Sequence, residues 1–250
     1  MAIEPFEQRF VVRFFETDLQ GELSVLNFMN FFEEVALQQS EYRGVGLQYY
    51  RDNSVIWMLH RWDISIFKAP RYGDEVLVRT LPVSFYGFLG YRKFWVLDNQ
   101  GATLATADSA WIFLNTQTRR PMRVTQDMKL AYGHDGVPEH KMEMAEATKL
   151  QHPTIVKDFE VLKADIDIIK HTHNTKYVNW ALETLPEVFL AQNKLTRLTV
   201  EYKRETRLGQ MVKVETECMA MANGSTICAH SISNGENAIA CALSTQWMPR

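Results

Sequence analysis

The stretch Ala164-Asp165-Ile166-Asp167-Ile168-Ile169-Lys170-His171-Thr172-His173-Asn174, with the apolar run Tyr177-Val178-Asn179-Trp180-Ala181-Leu182 behind it, has a counterpart earlier in the chain. Residues 164–183 laid without a gap on residues 15–34 put Asp167 on Asp18, Tyr177 on Phe28, Trp180 on Phe31 and Glu183 on Glu34. A second block repeats at another offset. Lys68-Ala69-Pro70-Arg71-Tyr72-Gly73-Asp74 falls on Arg204-Glu205-Thr206-Arg207-Leu208-Gly209-Gln210, and the same offset carries Trp111 onto Trp247. Self-similarity of this kind means one structural unit used twice. Each half has one order: an acidic start, an aromatic segment, a Gly turn, two hairpins and a closing Trp.

The run 177–182 is apolar on most faces, as is Asn27-Phe28-Met29-Asn30-Phe31-Phe32 with Val35 and Ala36. A helix wrapped in apolar side chains is a buried one. Pro186 ends or kinks the second helix, because it lacks an N–H and its ring collides with the preceding turn. Residues 75–80 and 211–217 then alternate with period two, as half-buried strands do. Asn223-Gly224, Asn234-Gly235 and Asn99-Gln100-Gly101 supply hairpin turns. One buried helix followed by an antiparallel meander is an α+β pattern, and a sheet wrapped around a long central helix is the hot-dog arrangement. The sequence therefore predicts two tandem hot-dog domains, 1–126 and 153–250. They are joined by 127–152, a stretch rich in Lys, Glu, His and Met that reads as a surface linker. A single hot-dog leaves a long apolar face, so such units pair. A duplicated chain can pair with itself, and a homodimer of the tandem chain is a further option.

Composition narrows the function. Apolar residues make up 46% of 250, enough for a packed core. A formal net charge of -3 gives no global basic field for nucleic acid. No apolar run approaches the ~20 residues of a membrane-spanning helix. Met1–Val12 lacks the apolar centre of a secretory signal. Cys218, Cys228 and Cys241 fit no metal-ligand spacing and read as reduced, buried thiols of a cytoplasmic protein. Neither a phosphate loop nor a dinucleotide fingerprint occurs, so no metal and no cofactor is expected.

The densest polar cluster, Asp165–Asn174, sits just ahead of the second buried helix. A helix N-terminus presents unpaired N–H groups and a partial positive charge. Such a terminus is a natural place to polarise a carbonyl and hold the oxyanion that forms on attack. Asn174 is a good N-cap residue. From spacing alone the cluster is equally a cap plus a turn. Glu205 alone is equally a strand-surface partner of Lys203 or Arg207.

Asp165, Asp167, His171, Asn174, Tyr177 and Trp180 stand in register with Asp-x-Asp-x-Asn-x-His-Val-Asn-Asn followed by Tyr and Trp. That is the second-repeat motif of acyl-acyl-carrier-protein thioesterases, plant and bacterial. Glu201-Tyr202-Lys203-Arg204-Glu205-Thr206 resembles the family's Glu-Tyr-Arg-Arg-Glu-Cys. Trp111-Ile112-Phe113-Leu114-Asn115-Thr116-Gln117-Thr118-Arg119-Arg120 resembles its Trp-x-x-x-Asn-x-x-Thr-Arg-Arg, and Pro70–Asp74 its Pro-x-x-Gly-Asp. The resemblance covers nearly the whole chain. It implies hydrolysis of fatty acyl-carrier-protein thioesters to free fatty acid, with Asp167, His171 and Glu205 as the catalytic residues. Two carboxylates in one partly dry cleft would repel each other and raise at least one pKa.

The family's catalytic Asn is replaced by Ile169, which neither donates nor accepts a hydrogen bond. Asn174, His173 or a water would have to take over its role near the substrate. The first half keeps Asp18 but has Glu22 and Ala69 where His171 and Glu205 would fall, so it reads as catalytically degenerate. By resemblance it would hold the fatty acyl chain, with Phe28, Met29, Phe32, Trp57 and Met58 as lining or as ordinary core. An acidic acyl carrier protein would be steered by a local basic patch. Arg119, Arg120 and Arg123 form one candidate, and Lys203, Arg204 and Arg207 another; as charge runs both also read as solvated faces. Two alternatives remain open: an acyl-CoA thioesterase, and a non-catalytic acyl-binding module, which Ile169 favours.

Overall fold

Local sequence sets the strands and helices of two units, here described from a computed structural model covering residues 4–236 and 238–250. The first three residues of the Met1–Val12 stretch lie outside the described residues. One unit takes the chain up to His60 together with Phe67–Met144, and the other takes Arg61–Ile66 and Ala145–Arg250.

In the first unit, strands β1 (Phe6–Val11), β2 (Val55–Ile66), β3 (Glu75–Tyr86), β4 (Leu89–Leu97) and β5 (Thr103–Asn115) lie in the order β1-β3-β4-β5-β2. Helix α1 (Val25–Tyr42) packs on β1 and β3. Ser24 starts it, its hydroxyl accepting from the Asn27 N–H at 3.4 Å. Phe28, Met29, Phe32 and Val35 then recur at helical spacing with no exposed surface, each burial stabilising by roughly 1.5–3 kcal/mol. A short helix α2 (Leu47–Asn53) and a two-residue strand β6 (Arg120–Pro121), paired with β5, complete the rim.

The second unit repeats the plan. Strands β7 (Ile155–Glu160), β8 (Asn193–Tyr202), β9 (Met211–Ala220), β10 (Thr226–Ser233) and β11 (Ile239–Pro249) lie in the order β7-β9-β10-β11-β8, the first unit's order position by position. Residues 61–65 of β2 pair antiparallel with β8. Helix α4 (Asn174–Leu182) packs on β9 and β10. It is nine residues long against eighteen for α1. Pro186 explains the difference, since the residue before a proline disfavours the helical region. The chain turns at Thr184-Leu185 and restarts as α5 (Glu187–Gln192), with Pro186 at its N-cap. This is the tandem hot-dog α+β architecture.

Three expectations meet differences. Residues 126–134, read as the start of the linker, fold onto the first unit: helix α3 (Gln126–Ala131) is capped by Thr125, and Met128, Tyr132 and His134 are buried. Apolar residues one helical turn apart in a charged stretch gave too short a signal. Residues 137–154 form neither helix nor strand. The Asn234-Gly235 turn is a wider loop. The Asn234 side chain accepts the N–H groups of Glu236 and Ala238, both at 3.1 Å, as Asp98 does for Gln100 and Ala102 in the first unit. The reading of three reduced thiols is corrected: Cys218 and Cys228 are disulfide-bonded and only Cys241 is free and buried. The physical reason is register, which spacing does not reveal: the β9–β10 hairpin sets Cys218 directly opposite Cys228. Among the described residues, no helix is long and apolar enough to cross a membrane.

Candidate active site

The loop that leads into α4 has the same hydrogen bonds as the loop that leads into α1. Leu162 donates its N–H to Asp165 Oδ2 at 2.9 Å, and Arg13 donates to Glu16 Oε2 at 2.8 Å. His173 donates to the Asp165 carbonyl at 2.8 Å, and Ser24 to the Glu16 carbonyl at 3.1 Å. The Ile169 and His171 N–H groups reach Asp167 Oδ1 at 2.9 and 3.0 Å. The Gln20 and Glu22 N–H groups reach Asp18 Oδ1 at the same distances. Lys170 has φ 65°, where the first unit places Gly21 at 71°.

Asp167 is therefore the carboxylate that closes a turn, a role short acidic side chains fill by bonding backbone two and more residues on. Its counterpart Asp18 does this in a half that lacks the other two candidate groups. The structure joins His171 and Glu205 directly, with Nε2 3.2 Å from Oε2 and both side chains about a quarter exposed. The Asp167 carboxylate bonds the backbone of its own turn, not the imidazole. Ile169 lies at the tip of that turn, part exposed, next to a strongly exposed Ile168.

A lock that sequence reasoning missed holds the His–Glu pair. Thr172, which follows His171, donates to the Thr206 carbonyl at 3.0 Å, and its hydroxyl meets the Thr206 hydroxyl at 2.9 Å. Thr206, which follows Glu205, donates its N–H to the Tyr177 hydroxyl at 3.0 Å and shares a second bond with it through Oγ1. All three are buried, and burial pushes the Tyr177 phenol up. Each catalytic candidate thus has its C-terminal neighbour tied to the other's and to α4. Thr172 and Thr206 stood in the sequence as departures from the family motif. The signal was that both departures introduced the same hydroxyl.

Glu205 binds the Nε2 edge of His171, and His171 Nδ1 is buried with no hydrogen-bond partner. That leaves Nδ1 as the ring atom with an unused lone pair. With Nε2–H donating to the carboxylate, Nδ1 carries the lone pair of a general base. The contact is the ground for this tautomer. Arg207 stands 3.8 Å from the other Glu205 oxygen.

The remaining candidates separate. His173, not Asn174, is the N-cap of α4, and it makes no side-chain cap bond and is exposed. Asn174 is the first helical residue, its carbonyl accepting from the Tyr202 hydroxyl at 3.0 Å. Phe28, Met29 and Phe32 are fully buried core. Trp57 packs 4.7 Å from Phe113 and 6.0 Å from Phe85, and Met58 is half-buried. Gly90 is obligatory beneath Trp57, since a Cβ there would lie 2.9 Å from the indole. Of the arginines read as one patch, Arg119, Arg120 and Arg123 are exposed, and Arg123 pairs with Glu139 at 3.2 Å. Lys129, the Gly87 N–H and Arg123 together hold the Glu139 carboxyl down to about 2. In the other patch Lys203 pairs with Glu201 at 3.3 Å, and Arg204 and Arg207 are exposed. No group of three or more His, Cys, Asp or Glu side chains among the described residues is arranged to hold a metal.

An antiparallel sheet against a buried helix, used twice, with a His171–Glu205 pair in the second copy, defines a tandem hot-dog protein. The profile of the acyl-ACP thioesterase N-terminal domain matches residues 4–132, and that of the C-terminal domain matches residues 148–249. The chain belongs to the acyl-ACP thioesterase family. It is 27% identical to the chloroplastic oleoyl-acyl carrier protein thioesterase 2 of Arabidopsis thaliana, over 83% of this chain and 61% of that protein. It is 29% identical to the chloroplastic palmitoyl-acyl carrier protein thioesterase of the same plant, over 80% of this chain and 52% of that one. The chain thus spans between half and two thirds of the length of these relatives. A solved structure from Lactobacillus plantarum, described as an oleoyl thioesterase, shares the fold with a TM-score of 0.94 at 22% identity, over 99% of this chain and 97% of that one.

Proposed function

We infer that the chain hydrolyses fatty acyl-acyl-carrier-protein thioesters to free fatty acid and carrier protein. The observation that carries the reading is the His171–Glu205 contact, in a chain whose two halves both match one thioesterase family. The names of the relatives supply the substrate class. Glu205 orients the imidazole, and Nδ1 takes a proton from a water that attacks the thioester carbon. The new C–O bond gives a tetrahedral oxyanion, its collapse breaks C–S, and the proton passes from the imidazole to the leaving thiolate. Backbone N–H groups at the start of α4 are the candidate holders of the oxyanion. Asp167 acts at one remove, by shaping the turn that carries His171.

The fatty acyl chain is proposed to occupy the first unit. Of the residues expected to line it, Trp57 and Met58 keep exposed surface, while Phe28, Met29 and Phe32 would contribute only as the packed floor. Carrier protein is proposed to dock through one of the two basic patches, Arg119, Arg120 and Arg123 or Lys203, Arg204 and Arg207, all of them exposed. A homodimer and a cytoplasmic location belong to the same proposal. The Cys218–Cys228 bond weighs against the location, since disulfides are rare in reducing compartments. A non-catalytic acyl-binding role is the second reading, favoured by Ile169 at the tip of the turn.

The test is release of free acid from acyl-carrier protein and, at equal concentration, from acyl-CoA. The expected result is faster hydrolysis of the carrier-protein substrate. His171→Ala and Glu205→Gln should each lower kcat/KM by about 10²–10⁴-fold, and Ile169→Asn should raise it. Wild-type rates in the His171 and Glu205 variants would end the assignment. No turnover in any variant, with acyl ligand still bound, would select the binding module.

A further inference from the structure

At one end of the first unit, Phe14, Phe15, Leu19 and Tyr72 keep between 65 and 81% of their surface exposed. They sit on turns that meet one another. Phe14 and Phe15 lie in the turn after β1, Leu19 at the tip of the turn from Asp18 to Gly21, and Tyr72 in the turn before β3. The Phe14 and Tyr72 rings stand edge to face, 6.1 Å apart. The Tyr72 N–H donates to the Gly21 carbonyl at 3.3 Å, which ties the last two turns together. The Arg13 guanidinium lies 4.8 Å from the centre of the Phe15 ring.

The fold does not require these side chains. The repeat lays Phe14 on Lys163, Phe15 on Ala164, Leu19 on Ile168 and Tyr72 on Leu208, so the same turns form in the second unit without an aromatic ring. An exposed apolar patch of this kind marks a surface that something covers. The charges around it say what. Arg9, Arg13 and Arg71 are each paired, with Glu75, Glu16 and Glu22 in turn. The Asp18 and Asp74 carboxylates accept N–H groups of their own turns. Little charge is left for an acidic or basic partner to complement. The backbone is satisfied as well. The Phe14 carbonyl accepts from the Thr17 N–H at 3.3 Å and from the Thr17 hydroxyl at 2.8 Å, and the Asp18 and Arg71 carbonyls accept from Gly21 and Asp74, both at 3.0 Å. Such turns enter an apolar phase without leaving hydrogen bonds unmet. A protein partner needs roughly 20–30 residues a side in matching shape. Fluid acyl chains need no matching shape and take up separate side chains one at a time.

We propose that Phe14, Phe15, Leu19 and Tyr72 form a membrane-contact patch that seats the first unit on a zwitterionic lipid surface, these side chains entering the boundary between head groups and acyl chains. Arg13, laid against Phe15 and paired with Glu16, keeps its charged head at the level of the phosphates, as long cationic side chains do. The Tyr72 hydroxyl stays with the polar groups. The contact is peripheral and involves neither His171 nor Glu205.

The experiment is co-sedimentation of the full chain with vesicles of phosphatidylcholine alone and of an equal mixture of phosphatidylcholine and phosphatidylglycerol, at low and high salt. Turnover plays no part, so failure here and failure of the hydrolase reading are told apart. Wild type should bind both kinds of vesicle alike, and high salt should not release it. Phe14→Ser and Phe15→Ser should each weaken binding about 10-fold, and together about 100-fold, the range set by withdrawing an aromatic ring from an apolar phase. Tyr42→Ser, at the C-terminal end of α1, should bind as wild type does. No binding to phosphatidylcholine, or full binding by the double variant, would overturn the patch. Binding that needs phosphatidylglycerol and is lost in salt would overturn it in favour of the basic residues. Light scattering without vesicles that finds a dimer in wild type and a monomer in the double variant would overturn it in favour of a second copy. Should the double variant not fold, Leu19→Cys carrying an environment-sensitive fluorophore decides. Its emission should shift to the blue on phosphatidylcholine vesicles, and unchanged emission overturns the proposal.

Discussion

Asp18 and Asp167 show how far a single residue can be read from its neighbours in sequence. Both carboxylates accept two backbone N–H groups and close the same turn, one beside a His–Glu pair and one without it. A carboxylate accepting two backbone N–H groups stabilises the folded loop by about 1–3 kcal/mol. We expect Asp18→Ala and Asp167→Ala to lower stability by similar amounts, measured as urea midpoints. Asp167→Ala alone should also lower kcat, with KM little changed, because it moves His171. A fall in kcat as large as that of His171→Ala, with no loss of stability, would make Asp167 a participant in the chemistry instead. The sequence named Asp167, His171 and Glu205 through their motif, and the structure places the last two in contact. It did not show that the first was already engaged, because a motif records which residues occur and not which atoms remain available. His171 and Glu205 lie far apart in the chain, and their contact depends on a strand pairing that spacing does not encode.

At the scale of elements, the loop before α4 and the segment after β8 are tied by Thr172, Thr206 and Tyr177. This holds the two candidate side chains, already in contact with each other, through their neighbours as well. Thr206→Val keeps the volume and removes the hydroxyl, leaving the Thr172 and Tyr177 hydroxyls each short of a partner. The expected outcome is a loss of about 1–3 kcal/mol in stability and a fall in kcat that Thr206→Ser largely restores. A Val variant as active as wild type would show that the His–Glu spacing is set elsewhere. The elements themselves were largely legible. Period-two alternation marked β3 and β9, and all-round apolarity marked the helices. The length of α4 followed from Pro186. What failed to show was α3, whose one buried residue, Met128, was outvoted by charged neighbours, and the facing of Cys218 with Cys228, because register is a property of the pair of strands and not of either one.

The whole molecule is one plan used twice with different interiors, and the second interior predicts its response to acid. His230 is buried between Thr216, 2.8 Å from Nδ1, and Thr245, 3.2 Å from Nε2. Thr216 continues to Thr184 at the end of α4, and Thr245 accepts from the Trp247 indole. Burial pushes the His230 imidazole down to about 3. The folded state therefore refuses a proton that the unfolded chain accepts at its ordinary pKa of about 6.5. This contribution is complete above that value and is lost as pH falls through the window from about 6.5 to 3. Its slope approaches 1.4 kcal/mol per pH unit at most. His134 in the first unit is lowered in the same direction, so wild type against a His230 variant is the informative comparison. The repeat names that variant. The counterpart of His230 is Phe94, itself fully buried. In His230→Phe, Thr216 keeps Thr184 and Thr245 keeps Trp247. Urea midpoints measured from pH 7 to pH 5, above the range where carboxylates take protons, should fall less steeply in His230→Phe than in wild type. Parallel slopes would mean that the imidazole reaches water in the folded state and that the second core is looser than its hydrogen bonds imply.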